Sequence, residues 1–323
     1  MPYALATFRI DGKPVPVIES GGFYWPLSQL APDLLAPGDP RGLMALMDDW
    51  EAAEAALFAR LPGLLQGVQP LPPLASDDDL LAPLLYPGKV CCTGANYRQH
   101  MTEVGLSKSF DKNNVRPAFF LKPARTAVVG SGRSVRYPQQ TRQFDWEIEL
   151  AVVIGRKARH VDAASALQHV AGYTVGLDLS ARDYLLHPGN MAGFDTFGGK
   201  AFDDSCPLGP SIIPARFVPD PQNLSIRLDV NGEVKQDSNT SEMVWTIAEQ
   251  IAEMSAVMTL EPGDVILTGT PSGSGLPTGT FLKPGDKVVA EIGGVGRLAF
   301  EVVPSLWAGV EIPCALRPAG VAK

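Results

Sequence analysis

Hydrophobic and polar positions alternate most cleanly in Phe144-Asp145-Trp146-Glu147-Ile148-Glu149-Leu150, which continues through Ala151-Val152-Val153-Ile154 to Gly155. Period two predicts a strand, because successive side chains leave opposite faces. Phe144, Trp146, Ile148 and Leu150 fall on one face, directed into a core, with Glu147, Glu149 and Asp145 on the other. Strand rise sets Glu147 and Glu149 about 6.6 Å apart. On a strand this apolar, at least partial burial of both is expected. Two neighbouring buried carboxylates repel, so a proton, an Arg or Lys, or a metal ion must neutralise them.

The rest of the chain divides by pattern. Residues 1 to about 36 read as short β pieces, with Asp11-Gly12 as a hairpin turn between Tyr3–Ile10 and Pro14–Ile18. Residues 40 to 61 carry Leu43, Leu46, Met47, Trp50, Ala53 and Leu57 at helical spacing, with Pro62-Gly63 as the stop. The Pro-rich stretch 62–88, with Asp77-Asp78-Asp79, reads as a solvated link. From Lys89 onward strand-like runs dominate: 89–94, 117–122, 126–136, 147–155, 171–178, 210–214, 224–230, 233–237, 264–268, 286–292 and 297–303. Asn231-Gly232 predicts a tight hairpin between two of them. A short helix over 163–170 is capped by Asp162. A longer one follows Asn239-Thr240-Ser241, with Val244, Ile247, Ile251, Met254 and Met258 on one face. Strands outnumber helices without β-α alternation. The fold class is therefore α+β, mainly β: a mixed or antiparallel roll with helices outside, over 86–323, after a small N-terminal domain, 1–85.

Composition narrows the function. Lys+Arg 27 against Asp+Glu 35 gives a net charge of −8, which argues against nucleic acid or an anionic membrane as partner. No apolar run approaches the ~20 residues of a membrane span, and Met1–Lys13 has no signal-peptide pattern. Four cysteines, Cys91, Cys92, Cys206 and Cys314, read as reduced thiols in a cytoplasmic protein. A P-loop fails because Gly199 stands where its Lys belongs; a dinucleotide fingerprint fails at Thr278. There is no G-x-S-x-G elbow and no H-E-x-x-H.

Asp178 ends the strand-like run Ala171–Leu177 and supplies a third carboxylate able to meet Glu147 and Glu149. Such an all-oxygen set suits a hard cation, Mg²⁺, Mn²⁺ or Ca²⁺. Spacing alone leaves the alternative of a solvated sheet face, with Asp178 in a turn.

Seven motifs in order bear on that choice. They are Gly94-Ala95-Asn96-Tyr97-Arg98-Gln99-His100 with Glu103, Pro117–Pro123, Trp146–Leu150, Asp178–Asp183, Gly199–Asp203, Val230–Gln236, and Met258–Ile266 through Thr268-Gly269-Thr270-Pro271. From Lys89 to about Val303 the sequence resembles the fumarylacetoacetate hydrolase (FAH) family. The resemblance implies an FAH-type mixed β-sandwich roll with flanking helices behind a small N-terminal α/β domain, assembled as a homodimer. It places the metal ligands on Glu147, Glu149 and Asp178, with Mg²⁺ or Mn²⁺ as cofactor, and a His100–Glu103 dyad in which Glu103 orients His100 as the base for water. It further implies Lys200 as the oxyanion donor, and Arg182 (beside the metal strand), Lys122 and Thr270 in contact with substrate.

The implied substrates are 2-oxo acids with a second carbonyl or a double bond nearby. The activity expected is hydrolytic cleavage of a C–C bond in an acylpyruvate or 1,3-diketo acid, in aromatic catabolism. Metal-dependent decarboxylation of an oxaloacetate-like acid, or isomerisation or hydration of a 2-hydroxy-dienoate, is the alternative. A cation-binding protein without turnover would need the carboxylates but neither the dyad nor Lys200. Two positions depart from the family: Leu177 where Asn is usual, and Leu185 where Gln is usual. Leu185 predicts a distal substrate end less polar than fumaryl. The Gly- and Pro-containing segment Leu185–Phe197 reads as a loop able to cover the site.

Overall fold

The computed structural model describes residues 1–73, 79–106 and 110–307; Asp77, Asp78 and Cys314 lie outside them. Strands dominate, with short helices around them, as α+β patterning predicts. The large sheet runs in the order Phe23–Pro26, Lys13–Ser20, Ala4–Ile10, Cys206–Pro214, Val170–Leu177, Ile148–Ile154, Val265–Leu267, Val90–Gly94 and Ala118–Lys122. Neighbours along it are antiparallel, except that Val265–Leu267 runs parallel to Val90–Gly94. A five-stranded sheet, Glu233–Asn239, Ser225–Val230, Lys287–Ile292, Gly296–Val303 and Ser134–Arg136, packs against it.

The strand Ile148–Ile154 is buried at every residue, because each of its faces meets a different core. Ile148, Leu150, Val152 and Ile154 join the core shared with the second sheet, which also holds Phe144 and Trp146. Ala151 and Val153 join a second core, built with Leu5, Ile18, Trp25, Trp50 and Leu57 from the N-terminal segment. That segment is hydrogen-bonded into the sheet, with Leu5 opposite Ile212 and Ala6 opposite Ser211. On the odd-numbered face Glu147 and Glu149 therefore precede two core residues, and the carboxylates sit at the edge of an apolar interior.

Both turn pairs adopt the left-handed backbone their sequences predict: φ is 50° and 76° at Asp11-Gly12, 54° and 80° at Asn231-Gly232. Helix boundaries moved more. Residues 42–49 form a 3₁₀ segment and the α-helix is Trp50–Leu64, passing through Pro62. Proline costs a hydrogen bond and a clash one turn back, and here only two helical residues follow it. The later helix begins at Ile247, where Thr246 and Glu249 make a reciprocal capping box; Val244 precedes it and packs with Met101 and Trp245. The run 126–136 divides into Val128–Val129 and Ser134–Arg136. Leu267 is fully buried in the second core. Leu267→Ala is expected to cost about 2–5 kcal/mol, read as a lowered denaturant midpoint with an unchanged slope.

Candidate active site

The three candidate ligands converge through strand register. Glu149 lies opposite Gly176 and Ile148 opposite Leu177, and Asp178 N–H donates to the Glu147 carbonyl (2.9 Å). One oxygen from each of Glu147, Glu149 and Asp178 lies within 4.8 Å of the others, and all three residues are buried. A solvated sheet face is thereby ruled out for this trio.

Three cations share the site. Lys200 Nζ donates to Glu147 Oε2 (2.6 Å) and Asp178 Oδ2 (2.5 Å). Lys122 Nζ faces Asp178 Oδ1 (2.8 Å) and donates to the carbonyls of Leu179 (3.0 Å) and Lys200 (2.7 Å). Its ammonium is thus spent on the framework that holds Asp178. Arg182 Nε donates to Asp145 Oδ2 (2.8 Å), and its Nη2 donates to Glu147. Asp145 also accepts from Gly275 N–H (2.7 Å).

Four buried carboxylates (Asp145, Glu147, Glu149, Asp178) thus face three buried cations (Lys122, Arg182, Lys200). With every group ionised, one negative charge is left over. It falls on Glu149, whose Oε2 accepts from Gly269 N–H (2.5 Å). Burial, then repulsion from Asp178 and Glu147, pushes the Glu149 carboxyl well above its usual range. Glu147 is the opposite case: against the burial that would raise it, Arg182 and Lys200 hold it far below that range. Burial raises Asp145 despite Arg182. Lys200 stays charged because Asp178 and Glu147 outweigh its desolvation. A buried carboxylate short of a countercharge, beside two others and offering only oxygen, fits a hard divalent cation.

The dyad stands on the helix Arg98–Glu103, where a three-residue spacing sets both side chains on one face. His100 Nδ1 lies 3.3 Å from Glu103 Oε2. With Nδ1–H donated to Glu103, Nε2 is the basic nitrogen. Glu103 Oε1 in turn accepts from Gly273 N–H (2.9 Å).

That last bond belongs to a loop which sequence reading missed apart from Thr270. Gly269 N–H holds Glu149, Thr270 Oγ1 donates to Ile148 O (2.9 Å), Gly273 N–H holds Glu103, and Gly275 N–H holds Asp145. Its sequence signals were the motif Thr268-Gly269-Thr270-Pro271 and the glycines that follow it. Gly273 has φ +96°, and a Cβ there would fall 1.9 Å from Lys235 O. Gly273→Ala is expected to displace the loop and with it Glu103, lowering kcat about a hundredfold; steady-state kinetics beside circular dichroism would show this.

A cavity of about 310 Å³ joins these groups. Glu147, Glu149, Asp178, Arg182, Lys200 and His100 line it, together with Thr270. Val104, Leu106, Phe120, Leu185, Leu186 and Phe194 supply apolar wall, so the segment 185–197 does border the site. A larger depression near Tyr137 and Lys283 contains none of the candidate residues. Cys91 and Cys206, buried in the two cores, have thiols pushed up to about 12 by burial, which leaves them inert.

The family profile of the C-terminal part of fumarylacetoacetate (FAA) hydrolase matches residues 89–303. The chain belongs to the fumarylacetoacetate hydrolase family. This family member is 42% identical over 273 residues to the human protein named oxaloacetate tautomerase FAHD2B, mitochondrial, covering 83% of this chain and 81% of that one. Among solved structures, it resembles the maleylpyruvate hydrolase of Sphingobium sp. SYK-6 in complex with manganese(II) and pyruvate: TM-score 0.72, 30% identity, 94% of this chain and 99% of the other. The fumarylpyruvate hydrolase of Pseudomonas aeruginosa, with Mn²⁺ and pyruvate, gives a TM-score of 0.61 at 35% identity over 74% and 94%. The fold is thus that of its hydrolase and isomerase neighbours, and the chain is an enzyme of their superfamily. No described helix is long and apolar enough to cross a membrane.

Proposed function

We propose that this protein is a divalent-metal-dependent enzyme that takes a 2-oxo acid through its enolate, and that its reaction is the keto–enol tautomerisation of oxaloacetate. One observation carries the reading: the acid trio and His100, which is bonded to Glu103, line a single cavity. The tautomerase name of the 42%-identical human relative supports the choice of substrate.

Glu147, Glu149 and Asp178 would hold the cation, Mg²⁺ or Mn²⁺. When bound, it supplies Lewis acidity to the carboxylate and 2-oxo oxygens of the substrate. The remaining work falls to the chain's own groups. Toward the enol, His100 Nε2 takes the C3 proton and the 2-oxo oxygen gains one from solvent; toward the keto form, that oxygen gives up its proton and His100 returns one to C3, with Glu103 keeping the imidazole in the tautomer that allows it. Lys200 and Arg182, already beside Glu147, offset negative charge as the enolate forms.

A second reading, hydrolysis of an acylpyruvate C–C bond, is favoured by the apolar wall around Leu185 and Phe194. A monoanionic substrate with an alkyl or aromatic acyl group fits that wall. His100 would then deprotonate water, and Lys200 would face the tetrahedral oxyanion. Its collapse breaks the C–C bond and releases a carboxylic acid and the pyruvate enolate, which a proton converts to pyruvate.

Oxaloacetate and a series of aliphatic, aromatic and dicarboxylate acylpyruvates, assayed with Mg²⁺ and with Mn²⁺, separate the two. Accelerated enol–keto exchange without acylpyruvate loss establishes the first, and the reverse establishes the second. Preference for the dicarboxylate acylpyruvate removes the argument from Leu185. Metal removal gives a separate check. Mn²⁺ at a hundredfold excess over its dissociation constant is expected to stabilise the stripped protein by about 2.7 kcal/mol, seen as a raised melting temperature.

A further inference from the structure

Gln236 has no part in the chemistry above, yet it is buried and wired to Ile148, the residue between two candidate ligands. Strand pairing explains why. Asp178 N–H donates to Glu147 O, and Glu149 lies opposite Gly176. Glu147 and Glu149 thus turn their peptide groups toward Val170–Leu177, and alternation turns those of Ile148 the other way. On that side Val265–Leu267 pairs only with Ala151, Val152 and Val153. Beyond it one backbone bond remains, Thr268 N–H to Leu150 O (3.2 Å), and side chains complete the ladder. Thr268 Oγ1 donates to Leu150 O (2.8 Å), and Thr270 Oγ1 donates to Ile148 O (2.9 Å). Gln236 Oε1 accepts from Ile148 N–H (3.0 Å), while Nε2 donates to Thr270 Oγ1 and Pro271 O (2.8 Å each). Both peptide groups of Ile148 are therefore clamped, and the two clamps are bonded to each other.

We propose that Gln236 is a positioning residue of the metal site. Together with Thr270 it fixes the Ile148 peptide groups, and so the spacing of the Glu147 and Glu149 carboxylates on which cation affinity depends. The inference rests on the metal-dependent reading given above. Groups that orient ligands from behind govern affinity strongly, and losing one weakens binding about 10–100-fold.

The test is calorimetric titration of the metal-stripped full chain with MnCl₂, substrate absent, alongside thermal unfolding. Gln236→Met keeps the length of the side chain and removes both hydrogen-bonding ends; it is expected to weaken Mn²⁺ binding by about 10–100-fold. Thr240→Val serves as the control, removing a buried hydroxyl that bonds Leu224 N–H and Pro221 O away from the site. It is expected to lower the melting temperature without changing Mn²⁺ affinity. If Gln236→Met does not fold, Thr270→Val carries the test, with weaker Mn²⁺ binding expected again. Wild-type affinity in the folded Gln236→Met or Thr270→Val protein overturns the positioning role alone. So does an equal loss in Thr240→Val. A wild-type protein that binds no Mn²⁺ overturns the metal reading as well.

Discussion

Glu149→Gln is expected to abolish tight Mn²⁺ and Mg²⁺ binding and to cut turnover by about 10³-fold or more, while the metal-free protein stays as stable as the wild type or gains. The metal's charge stabilisation is worth several kcal/mol, and each 1.36 kcal/mol is about tenfold in rate. The stability half follows from charge. Glu149 is the buried carboxylate with no cation bonded to it, and burial with Asp178 and Glu147 raises its pKa. An acid raised on folding binds its proton more tightly in the native state. Folding therefore loses stability as pH climbs from the unfolded pKa through the folded one. A neutral amide of the same shape, still accepting from Gly269 N–H, removes that cost. Mn²⁺ titration, steady-state kinetics and denaturant unfolding of the stripped protein read the three effects. Retained Mn²⁺ affinity in Glu149→Gln would sink the assignment of this trio as the metal site.

His100→Ala is expected to lower turnover about 10²–10⁴-fold, the usual worth of a positioned general base, with Mn²⁺ affinity unchanged. His100 bonds to Glu103 and to none of the three acids. Losing it removes the proton acceptor and leaves the ligands in place. Glu103→Gln should fall in between: an amide oxygen can still accept from Nδ1–H but stabilises an imidazolium less. The comparison also distinguishes reactions. If His100→Ala loses acylpyruvate hydrolysis but keeps oxaloacetate exchange, His100 serves water alone and another group moves the C3 proton. A His100→Ala enzyme with wild-type rates on every substrate would remove the dyad from the mechanism.

Charge also bears on substrate. Four carboxylates, three cations and a divalent ion leave the cavity with one positive charge to offer. A monoanionic 2-oxo acid brings it to neutrality, whereas a dianion overshoots by one. Oxaloacetate is such a dianion, and the apolar wall at Leu185 and Phe194 offers it no further positive group, so charge favours the acylpyruvate reading where the relative's name favours the tautomerase one, and the substrate assay decides between them. The usual Gln of the family at that position would have offered a polar contact.

Local patterns were legible because they rest on neighbours in sequence. Period two at 144–154 gave the strand Ile148–Ile154 and its inward face, though Trp146 and Glu147 separate it from Phe144–Asp145, which pairs with Ser180–Ala181; Asp11-Gly12 and Asn231-Gly232 gave turns that need positive φ, and three-residue spacing put His100 and Glu103 on one helical face. Where an element ends was less legible. Pro62 lies inside its helix, two residues before its end, and Val244 precedes its helix because Thr246 makes the better cap. The chemistry of Glu147, Glu149 and Asp178 could be proposed from residue type, since only hard cations suit three carboxylates.

What the sequence by itself determined, then, is a mainly β chain carrying a set of acids, a histidine pair and some cations as separate motifs. Only the tertiary structure decided that Lys122 is spent on Asp178, that Arg182 bridges Asp145 to Glu147, and that Glu149 is left without a cation. It also decided that the loop 269–275 ties the dyad to the acid strand. The reason is physical: these contacts join residues 35 to 170 positions apart. Such pairings depend on sheet register and burial, which no local pattern encodes.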